Sequence, residues 1–422
     1  MKTVIGFDNW TKGSIHYERL IPSLKLRGYR LILIHIGEWG HDKNRPNEEY
    51  IGNLLVRGID YYNGRSLKEI LILENPSAVI FLSTRVFANQ ALNRYCRNLN
   101  IPTLHLYHGL VSVGLLKNKE GYKINWKNQW KRIKSNLPKN IFLIWPLYWR
   151  ALIDTRASFI HVYWFFKELY HRLLNNTGIA PPDATTTAGC VYTKKDISDM
   201  IKIYRMPSKK VYAVGNPDII NFDLKDNDIG SGTDLLRESN NLLLYIDNGL
   251  AMAGFSFNDT EDYVDHLVST REAVEKQGYR FVIKLKPSQL NTNLHFRLKE
   301  LDIEICLNDK FVDYLKLASA AIVEASTAAM IPAIMGLPLL LAKYGKLSTQ
   351  EYGMVLTEYP RAIFLQNIHN ISFLLEEEQK NVKFDEVNDW IDENVGPLPA
   401  NMMPERVASV VEKIVNDNKN NT

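Results

Sequence analysis

The chain has 422 residues, of which 45% are hydrophobic and 23% charged, and its formal net charge is +4. This length exceeds the roughly 250–300 residues of a single core, so two domains are expected, and the composition is that of a globular protein. The small net charge does not indicate a nucleic-acid partner, and none is predicted. Three widely separated cysteines fit neither a disulfide framework nor a zinc cluster, which favours a reducing cytoplasm.

Short apolar runs alternate with helix-length amphipathic stretches in the first half of the sequence. The predicted strands are 4–7, 29–36, 78–82 and 103–107, and the predicted helices include 15–27 and 67–74. We interpret the N-terminus as a strand rather than a signal peptide because Asp8 and Asn9 interrupt its apolar run. No apolar run reaches membrane-spanning length. Strands that are apolar on both faces and separated by helices indicate parallel βαβ units.

The same alternation resumes after residue 188, with predicted strands at 190–192, 211–214, 242–246, 281–285, 303–307, 321–323 and 339–342. The predicted fold is therefore α/β, with two doubly wound Rossmann-like domains and ligands bound in a cleft between them. We expect an N-terminal domain at 1–220, with an aromatic and basic helical insertion at 117–175. A second domain is expected at 235–403, followed by an amphipathic helix and tail at 404–422.

Two polar residues follow predicted strands of the first domain. His108 comes directly after the strand 103–107, where a neutral imidazole could take a proton from an attacking hydroxyl. Asp8 follows the first strand and is a weaker candidate for the same base. A hydrogen-bonded structural histidine at a turn is the alternative interpretation of His108.

Two turn sequences offer further candidates for donor binding. Gly215 lies in VGNPD, where glycine and an Asn-Pro pair allow an unusual turn between the two halves. Asp247 follows the strand 242–246 and begins the sequence Asp-Asn-Gly. A plain turn is the competing interpretation for both residues.

Two more strand ends carry groups suited to phosphate. Lys286 and Pro287 follow the strand 281–285, where a cation could hold a nucleotide phosphate and proline would stiffen the loop. Glu324, Ser326 and Thr327 follow the strand 321–323 and lead into a small-residue helix, whose start could offer hydroxyls and N–H groups. Solvent-exposed lysines and a capped core helix are the respective alternatives.

The sequence gives little support for a metal or a redox cofactor. HExxH and His/Cys pairs at ligand spacing are absent, so no metal ligand is predicted. A P-loop and GxGxxG are absent too, which weakens the NTPase and dinucleotide interpretations. We therefore predict metal-independent chemistry without a cofactor.

Taken in order across residues 100–345, these segments resemble bacterial GT-B glycosyltransferases of cell-surface polysaccharide synthesis. That group includes capsule and lipopolysaccharide transferases and CDP-glycerol glycerophosphotransferases. The matching features are His108-Gly109, the segment KKVYAVGNPD, Lys286-Pro287, Ser326-Thr327 and Gly336-Leu337-Pro338. In the family, a histidine that helps to bind the donor phosphates stands at the position of Lys286. Lysine can supply charge there but no neutral imidazole.

The resemblance implies a glycosyltransferase that uses a nucleotide-activated sugar, with a CMP-sugar favoured over a UDP-sugar. The implied acceptor is a surface polysaccharide or a lipid-linked oligosaccharide. Within this assignment His108 is the base candidate, and Lys286, Ser326 and Thr327 are the phosphate-binding group. A sugar-nucleotide epimerase of the same fold and a non-catalytic membrane-surface protein are the alternatives.

The insertion has an unusual composition. Between residues 117 and 139 there are eight basic residues and one acid, and aromatic residues are frequent as far as residue 172. Basic residues beside Trp, Tyr and Phe suit an anionic membrane surface. We expect a protein of the cytoplasm, including the inner face of the cytoplasmic membrane. Packing of these aromatic residues on the first domain is the alternative.

Overall fold

The computed structural model describes residues 1–8, 13–37, 46–107, 137–173, 178–217, 226–230, 241–249, 256–325 and 327–420, together with residues 134, 219 and 224. The chain forms two compact units. Among the described residues, the first unit contains 1–107, 134, 137–215 and 396–420, and the second contains those from 216 to 395. The predicted domain boundaries at 220, 235 and 403 stay a prediction, as does the cleft between the domains.

The first unit is built on an eight-stranded sheet. Its strands are β1 (Lys2–Asp8), β2 (Tyr29–His35), β3 (Glu48–Ile51), β4 (Leu54–Gly58), β5 (Pro76–Phe81), β6 (Thr103–Leu106), β7 (Ala188–Val191) and β8 (Val211–Ala213). The spatial order is β3-β4-β2-β1-β5-β6-β7-β8. Neighbouring strands are parallel except for β3 and β4, which form an antiparallel hairpin at the edge.

Helices cover both faces of this sheet. They are α1 (Ser14–Glu18), α2 (Ile21–Leu26), α3 (Leu67–Glu74), α4 (Phe87–Asn98), α5 (Trp145–Asp154), α6 (Phe159–Leu173) and α7 (Asp196–Tyr204). Alternate residues of β1 belong to different hydrophobic clusters: Val4 to one, and Ile5 and Phe7 to the other. Because successive side chains of a strand point to opposite faces, two cores flank the sheet.

The predicted single helix at 15–27 is wrong in one respect, because the structure has two short helices there. The first, α1, ends at Glu18, and α2 begins at Ile21 with Pro22 in its first turn. Proline lacks the N–H that a continuous helix would need and is tolerated at a helix start. The break therefore follows from Pro22.

The second unit has a six-stranded parallel sheet. Its strands are β9 (Leu242–Ile246), β10 (Arg280–Lys284), β11 (Glu304–Cys306), β12 (Ala318–Val323), β13 (Leu339–Ala342) and β14 (Ala362–Leu365), in the order β11-β10-β9-β12-β13-β14. Its helices are α8 (Thr260–Glu275), α9 (Asn293–Glu300), α10 (Phe311–Leu317), α11 (Met330–Ile334), α12 (Met354–Thr357), α13 (Ile371–Asn381) and α14 (Phe384–Val395). The two parallel-sheet units confirm the predicted α/β class.

The last helix, α15 (Met403–Asn420), belongs to the first unit. Met403, Val407 and Val411 lie in the same hydrophobic cluster as Val4 of β1. At the rim of this contact Arg27 donates to Glu412 at 2.8 Å and also pairs with Glu405. Residues from the far end of the sequence thus complete one face of the first sheet.

Two glycines lie side by side where the chain leaves the first unit and where it returns. Gly215 and Gly396 both have positive φ, at 97° and 96°. A Cβ on Gly396 would lie 2.1 Å from the carbonyl oxygen of Tyr192 and 3.2 Å from the Cα of Gly215. Only glycine fits a position that combines positive φ with so close a backbone approach.

The insertion between β6 and β7 is partly described, from 137 to 173, and is helical as predicted. It is anchored by Asp183, whose carboxylate accepts from Tyr148 at 3.0 Å and from Arg94 at 3.0 Å and lies 2.8 Å from His161 Nδ1. Burial alone would raise the pKa of Asp183, but His161 and Arg94 hold that pKa below its usual value. Among helices in the described ranges, none combines the length and apolar character needed to cross a bilayer.

Candidate functional site

Three neighbouring strands of the second sheet end at one edge and carry three of the predicted site residues. Asp247 follows β9, Lys286 lies two residues beyond β10, and Glu324 follows β12. The backbone ladder continues past the strand ends, because Asp247 N donates to Lys284 O and Glu324 N donates to Ile246 O, each at 3.1 Å. The structure therefore brings Asp247, Lys286 and Glu324 together, at the carboxyl ends where parallel α/β sheets bind ligands.

Asp247 and Glu324 form a buried pair bridged by one hydroxyl. Tyr263 Oη lies 2.7 Å from Asp247 Oδ1 and 3.0 Å from Glu324 Oε1, and Tyr245 donates to Glu324 Oε1 at 2.8 Å. Burial, reinforced by the neighbouring Asp247 carboxylate, raises the pKa of Glu324 to about 8. Burial also raises the pKa of Asp247. At pH 7 the pair therefore holds one shared proton.

The hydrogen count of the bridge agrees with this shared proton. The Tyr263 hydroxyl has one hydrogen, so it can donate to only one of the two carboxyl groups. The other short contact is a hydrogen bond only when that carboxyl group carries a proton itself. Protonated Glu324 can donate to Tyr263, which in turn donates to Asp247, and both contacts are then satisfied.

The pair fixes the backbone of the surrounding loops. Glu324 Oε2 accepts from the N–H of Asn248 at 3.2 Å. Asp247 accepts from the N–H of Gly249 at 3.0 Å and from that of Lys286 at 3.3 Å. Since Glu324 is fully buried and Asp247 is 3% exposed, their part in the site is to hold these loops.

Lys286 presents an exposed cation above this buried pair. Its side chain passes over Gly249, where an added Cβ would lie 3.1 Å from Lys286 Cδ, and Gly249 has a φ of 82°. Pro287 and Ser288 are exposed as well, and the buried side chain of Gln289 accepts from the N–H of Lys286 at 3.0 Å. The other lysine of the motif, Lys284, is buried and donates to Leu285 O at 2.9 Å. One lysine of the two is thus available to an anion.

The remaining predicted residues are distributed differently. Ser326 and His108 lie outside the described residues. Thr327 begins a short 3₁₀ turn, Thr327–Ala329, that leads into the five-residue helix α11, and its side chain is not among those described. Asp8 ends β1 and is 5% exposed, in the first unit. Gly215 also belongs to the first unit, beside Gly396.

Three residues of this arrangement were not predicted from the sequence. Tyr245 lies inside β9, Tyr263 on α8 and Gln289 in the loop after β10. Each contacts the site through a hydrogen bond to Glu324, Asp247 or Lys286, and no spacing pattern in the sequence predicts those contacts. Only the tyrosine at the fourth position of the apolar run LLLYI was a local signal, because a buried tyrosine hydroxyl normally requires a partner.

A cavity of about 590 Å³ opens beside this site at the carboxyl ends of β13 and β14. Its volume is typical of small-molecule pockets. It is lined by residues of α8 and of the loops after β13 and β14, among them Asp262, His266, Tyr344, Lys346, Gln366 and His369. His266 stacks on Tyr344 at 5.3 Å and on Tyr263 at 6.2 Å between ring centroids. Burial lowers the pKa of His266 to about 4, so its imidazole is neutral at pH 7.

Within the described residues, no group of three or more His, Cys, Asp or Glu side chains is arranged to hold a metal ion. The chemistry available at this edge is therefore an exposed ammonium group, backbone N–H groups held by a buried acid pair, and a neighbouring cavity. The ammonium group and the N–H groups suit an anionic ligand.

No protein-family model matches the sequence, and no curated protein does either. Similar solved structures include a putative UDP-N-acetylglucosamine 2-epimerase from Listeria monocytogenes, with 13% identity, a TM-score of 0.45 and coverage of 99% of this chain and 98% of that chain. A variant of the wall teichoic acid polymerase TagF shows 12% identity, a TM-score of 0.49 and coverage of 99% and 90%. The calicheamicin glycosyltransferase CalG4 shows 13% identity and a TM-score of 0.47, with coverage of 99% of this chain and 98% of that chain. All these TM-scores lie below 0.5, so the fold assignment rests on the sheet topology described above.

Proposed function

We propose that the protein is a GT-B-type glycosyltransferase that transfers a sugar from a nucleotide-activated donor to a surface polysaccharide or a lipid-linked oligosaccharide. The observation that carries the proposal is the convergence of Asp247, Lys286 and Glu324 at one edge of the second sheet. An exposed cation lies there above loops that a buried acid pair fixes. Departure of a nucleotide needs this kind of preorganised positive charge.

In this proposal Lys286 binds the phosphates of the donor, together with Ser326 and Thr327 at the start of the next helical segment. Asp247 and Glu324 keep the backbone N–H groups in place, and Pro287 limits the movement of the loop. Because an ammonium group neutralises the leaving phosphate, the reaction needs no metal ion and no cofactor.

The acceptor side of the reaction belongs to the first unit. We propose His108 as the general base for the acceptor hydroxyl, with Asp8 as the second candidate. Gly215, at the crossing between the units, is proposed to bind the donor. An unperturbed histidine titrates near neutral pH, which is the range in which a base is most useful. The reaction would take place in the cytoplasm, at the inner face of the membrane when the acceptor is lipid-linked.

The donor can be identified by calorimetric titration with CMP-, CDP-, UDP- and GDP-sugars, of which a CMP-sugar is the first choice. Replacement of Lys286 by Ala should weaken donor binding by roughly tenfold or more, since a hydrogen bond to a charged group contributes about 1.5–3 kcal/mol. The double change Ser326→Ala and Thr327→Ala should weaken it as well. Lys299→Ala, an exposed lysine of the same unit, is the matched control and should bind like the wild type. Unchanged affinity in the Lys286 and Ser326/Thr327 variants would remove this site.

A sugar-nucleotide epimerase would use the same donor site, so transfer must be tested separately. The nucleotide sugar that binds in the calorimetric titration is incubated with the protein without an acceptor. NMR spectra of this mixture distinguish an epimerase from a transferase. A transferase leaves the sugar configuration unchanged and releases nucleotide when the acceptor is added. An inverted carbon without acceptor would establish the epimerase instead, and a donor left intact in both mixtures would favour the non-catalytic protein.

A further inference from the structure

The insertion of the first unit exposes a line of aromatic side chains on one helix. Phe159, Tyr163, Phe166 and Tyr170 of α6 are exposed to 82, 52, 60 and 60%, and we call them the aromatic stripe. Their spacing of four, three and four residues keeps them within about 60° of one another around a helix of 3.6 residues per turn. The stripe extends for roughly 16 Å along the helix axis at 1.5 Å per residue.

The opposite side of α6 explains why the stripe stays outside the core. Phe165 and Trp164 are buried, at 4 and 6% exposure, and Phe165 packs against Tyr148 of α5 with a centroid distance of 5.9 Å. His161, on the same helix, contacts the buried Asp183 at 2.8 Å. Because these contacts fix the rotation of α6, the stripe faces away from the core of its unit.

The sequence of the described insertion carries an excess of positive charge. Residues 137–173 contain five basic side chains (Lys139, Arg150, Arg156, Lys167 and Arg172) and two acids. Both acids already contact a cation, since Asp154 lies 3.9 Å from Arg150 and Glu168 lies 3.0 Å from Arg85. Lys167 lies over the ring of Tyr163 at 5.7 Å, so one cation borders the stripe directly. This charge balance is complementary to an anionic surface.

We propose that the aromatic stripe docks the protein on an anionic lipid bilayer, with α6 parallel to the membrane plane. Tyrosine and phenylalanine are suited to the headgroup region, and lysine beside them pairs with lipid phosphates. A second copy of the chain fits less well. Four such side chains, at 150–250 Å² each and about two-thirds exposed, offer roughly 400–650 Å², less than the roughly 800 Å² that each partner buries in a stable dimer.

The inference rests on the proposed function in one respect: docking would bring the enzyme to a lipid-linked acceptor. Its test needs neither donor nor acceptor, so it can fail while transfer is confirmed. Vesicle flotation with the full chain compares pure phosphatidylcholine with a mixture containing 30% phosphatidylglycerol. We expect binding to the anionic vesicles that weakens as the salt concentration rises from 0.05 to 0.5 M, because the Debye length shrinks.

Two variants and two matched controls locate the surface. The double change Phe159→Ser and Phe166→Ser should weaken binding by roughly 100-fold. Each ring that is removed loses roughly 60 Å² of contact with lipid, which corresponds to about a tenfold loss of affinity. Phe373→Ser, which alters a side chain of 62% exposure on α13 of the other unit, should leave binding unchanged. Lys167→Glu should weaken binding to anionic vesicles by roughly thirtyfold and leave binding to neutral vesicles unchanged. Lys299→Glu, which makes the same change of charge in the other unit, is the matched control.

The far-UV circular dichroism and melting temperature of each variant serve as folding controls, and the side chains of the double variant are mostly exposed already. Equal binding to neutral and anionic vesicles would overturn the proposal. So would wild-type affinity in the folded double variant. Sedimentation equilibrium tests whether a second copy of the chain binds the stripe instead. A dimer that dissociates in the Phe159/Phe166 variant would assign the stripe to contact between copies of the chain.

Discussion

Replacing Glu324 by Gln tests the buried acid pair through the pH dependence of stability. The pKa of Glu324 is raised from 4.5 in the unfolded chain to about 8 in the folded protein. Between these values the folded state binds a proton that the unfolded state has lost. A raised pKa stabilises the fold fully below pH 4.5, and this stabilisation is lost as the pH rises through 8.

The expected magnitude follows from the two pKa values. Each pH unit in this window changes the free energy of unfolding by about 1.4 kcal/mol for one proton, so a rise from pH 5 to pH 8 costs roughly 4 kcal/mol. Glutamine can take the place of the protonated acid. Its amide nitrogen can donate to Tyr263 and Tyr245 while its oxygen accepts from the N–H of Asn248, so the hydrogen bond with Tyr245 reverses direction. The variant therefore lacks the titration but keeps a polar contact with each of these partners.

Urea unfolding of the wild type and of Glu324→Gln at pH 5, 6, 7 and 8 gives the difference in stability at each pH, in which other titrating groups cancel. We expect the wild type to lose stability relative to the variant as the pH rises. Glu304→Gln is the matched control in the same unit. There, despite partial burial, hydrogen bonds from Arg280 and Tyr314 lower the pKa of Glu304. The stability difference between the wild type and this control should therefore stay constant from pH 5 to pH 8 and change only below about pH 5. A pH-independent difference for Glu324→Gln would refute the shared proton.

Three further outcomes test other parts of the molecule. Gly396→Ala should lower the free energy of unfolding by about 3 kcal/mol or more, because its Cβ would lie 2.1 Å from Tyr192 O. Gly64 also has a positive φ but has open space around it, so Gly64→Ala should lower the free energy of unfolding by only about 1–2 kcal/mol. Urea titration measures both, and similar losses would contradict the packing argument. His108→Ala should reduce kcat by ~10²–10⁴-fold with donor affinity unchanged, and normal turnover in folded variant protein would exclude this base. Excess chelator should leave turnover intact, because Lys286 neutralises the leaving group; loss that Mg²⁺ restores would reveal a metal site.

Buried parallel strands were predictable because they are continuous apolar runs. The predicted strands 242–246 and 339–342 agree at both ends with β9 and β13, whose residues are all buried. Three strands were not predicted. β3 and β14 lie at sheet edges, β4 lies beside β3, and the side chains of these strands alternate or remain exposed. A signal for the β3–β4 hairpin did exist, since Gly52-Asn53 forms the two-residue loop between its strands.

The site was predictable only as far as strand ends determine it. Asp247, Lys286 and Glu324 each follow a parallel strand, and the carboxyl ends of such strands share one edge. The contribution of Tyr263 depends on how α8 packs against that edge, which no local pattern records. The burial of Glu324 was likewise not predictable, because the sequence does not distinguish a side chain that points to a ligand from one that points into the core.

The return of the chain to its first unit has a consequence for synthesis. Among the described residues the second unit occupies 216–395, whereas one face of the first sheet is complete only when α15 arrives. On the ribosome the second unit can fold while the earlier half still exposes the apolar surface around Val4. In that case the order of folding is opposite to the order of translation. A chain truncated after Val395 should contain a protease-resistant second unit behind a protease-sensitive N-terminal half.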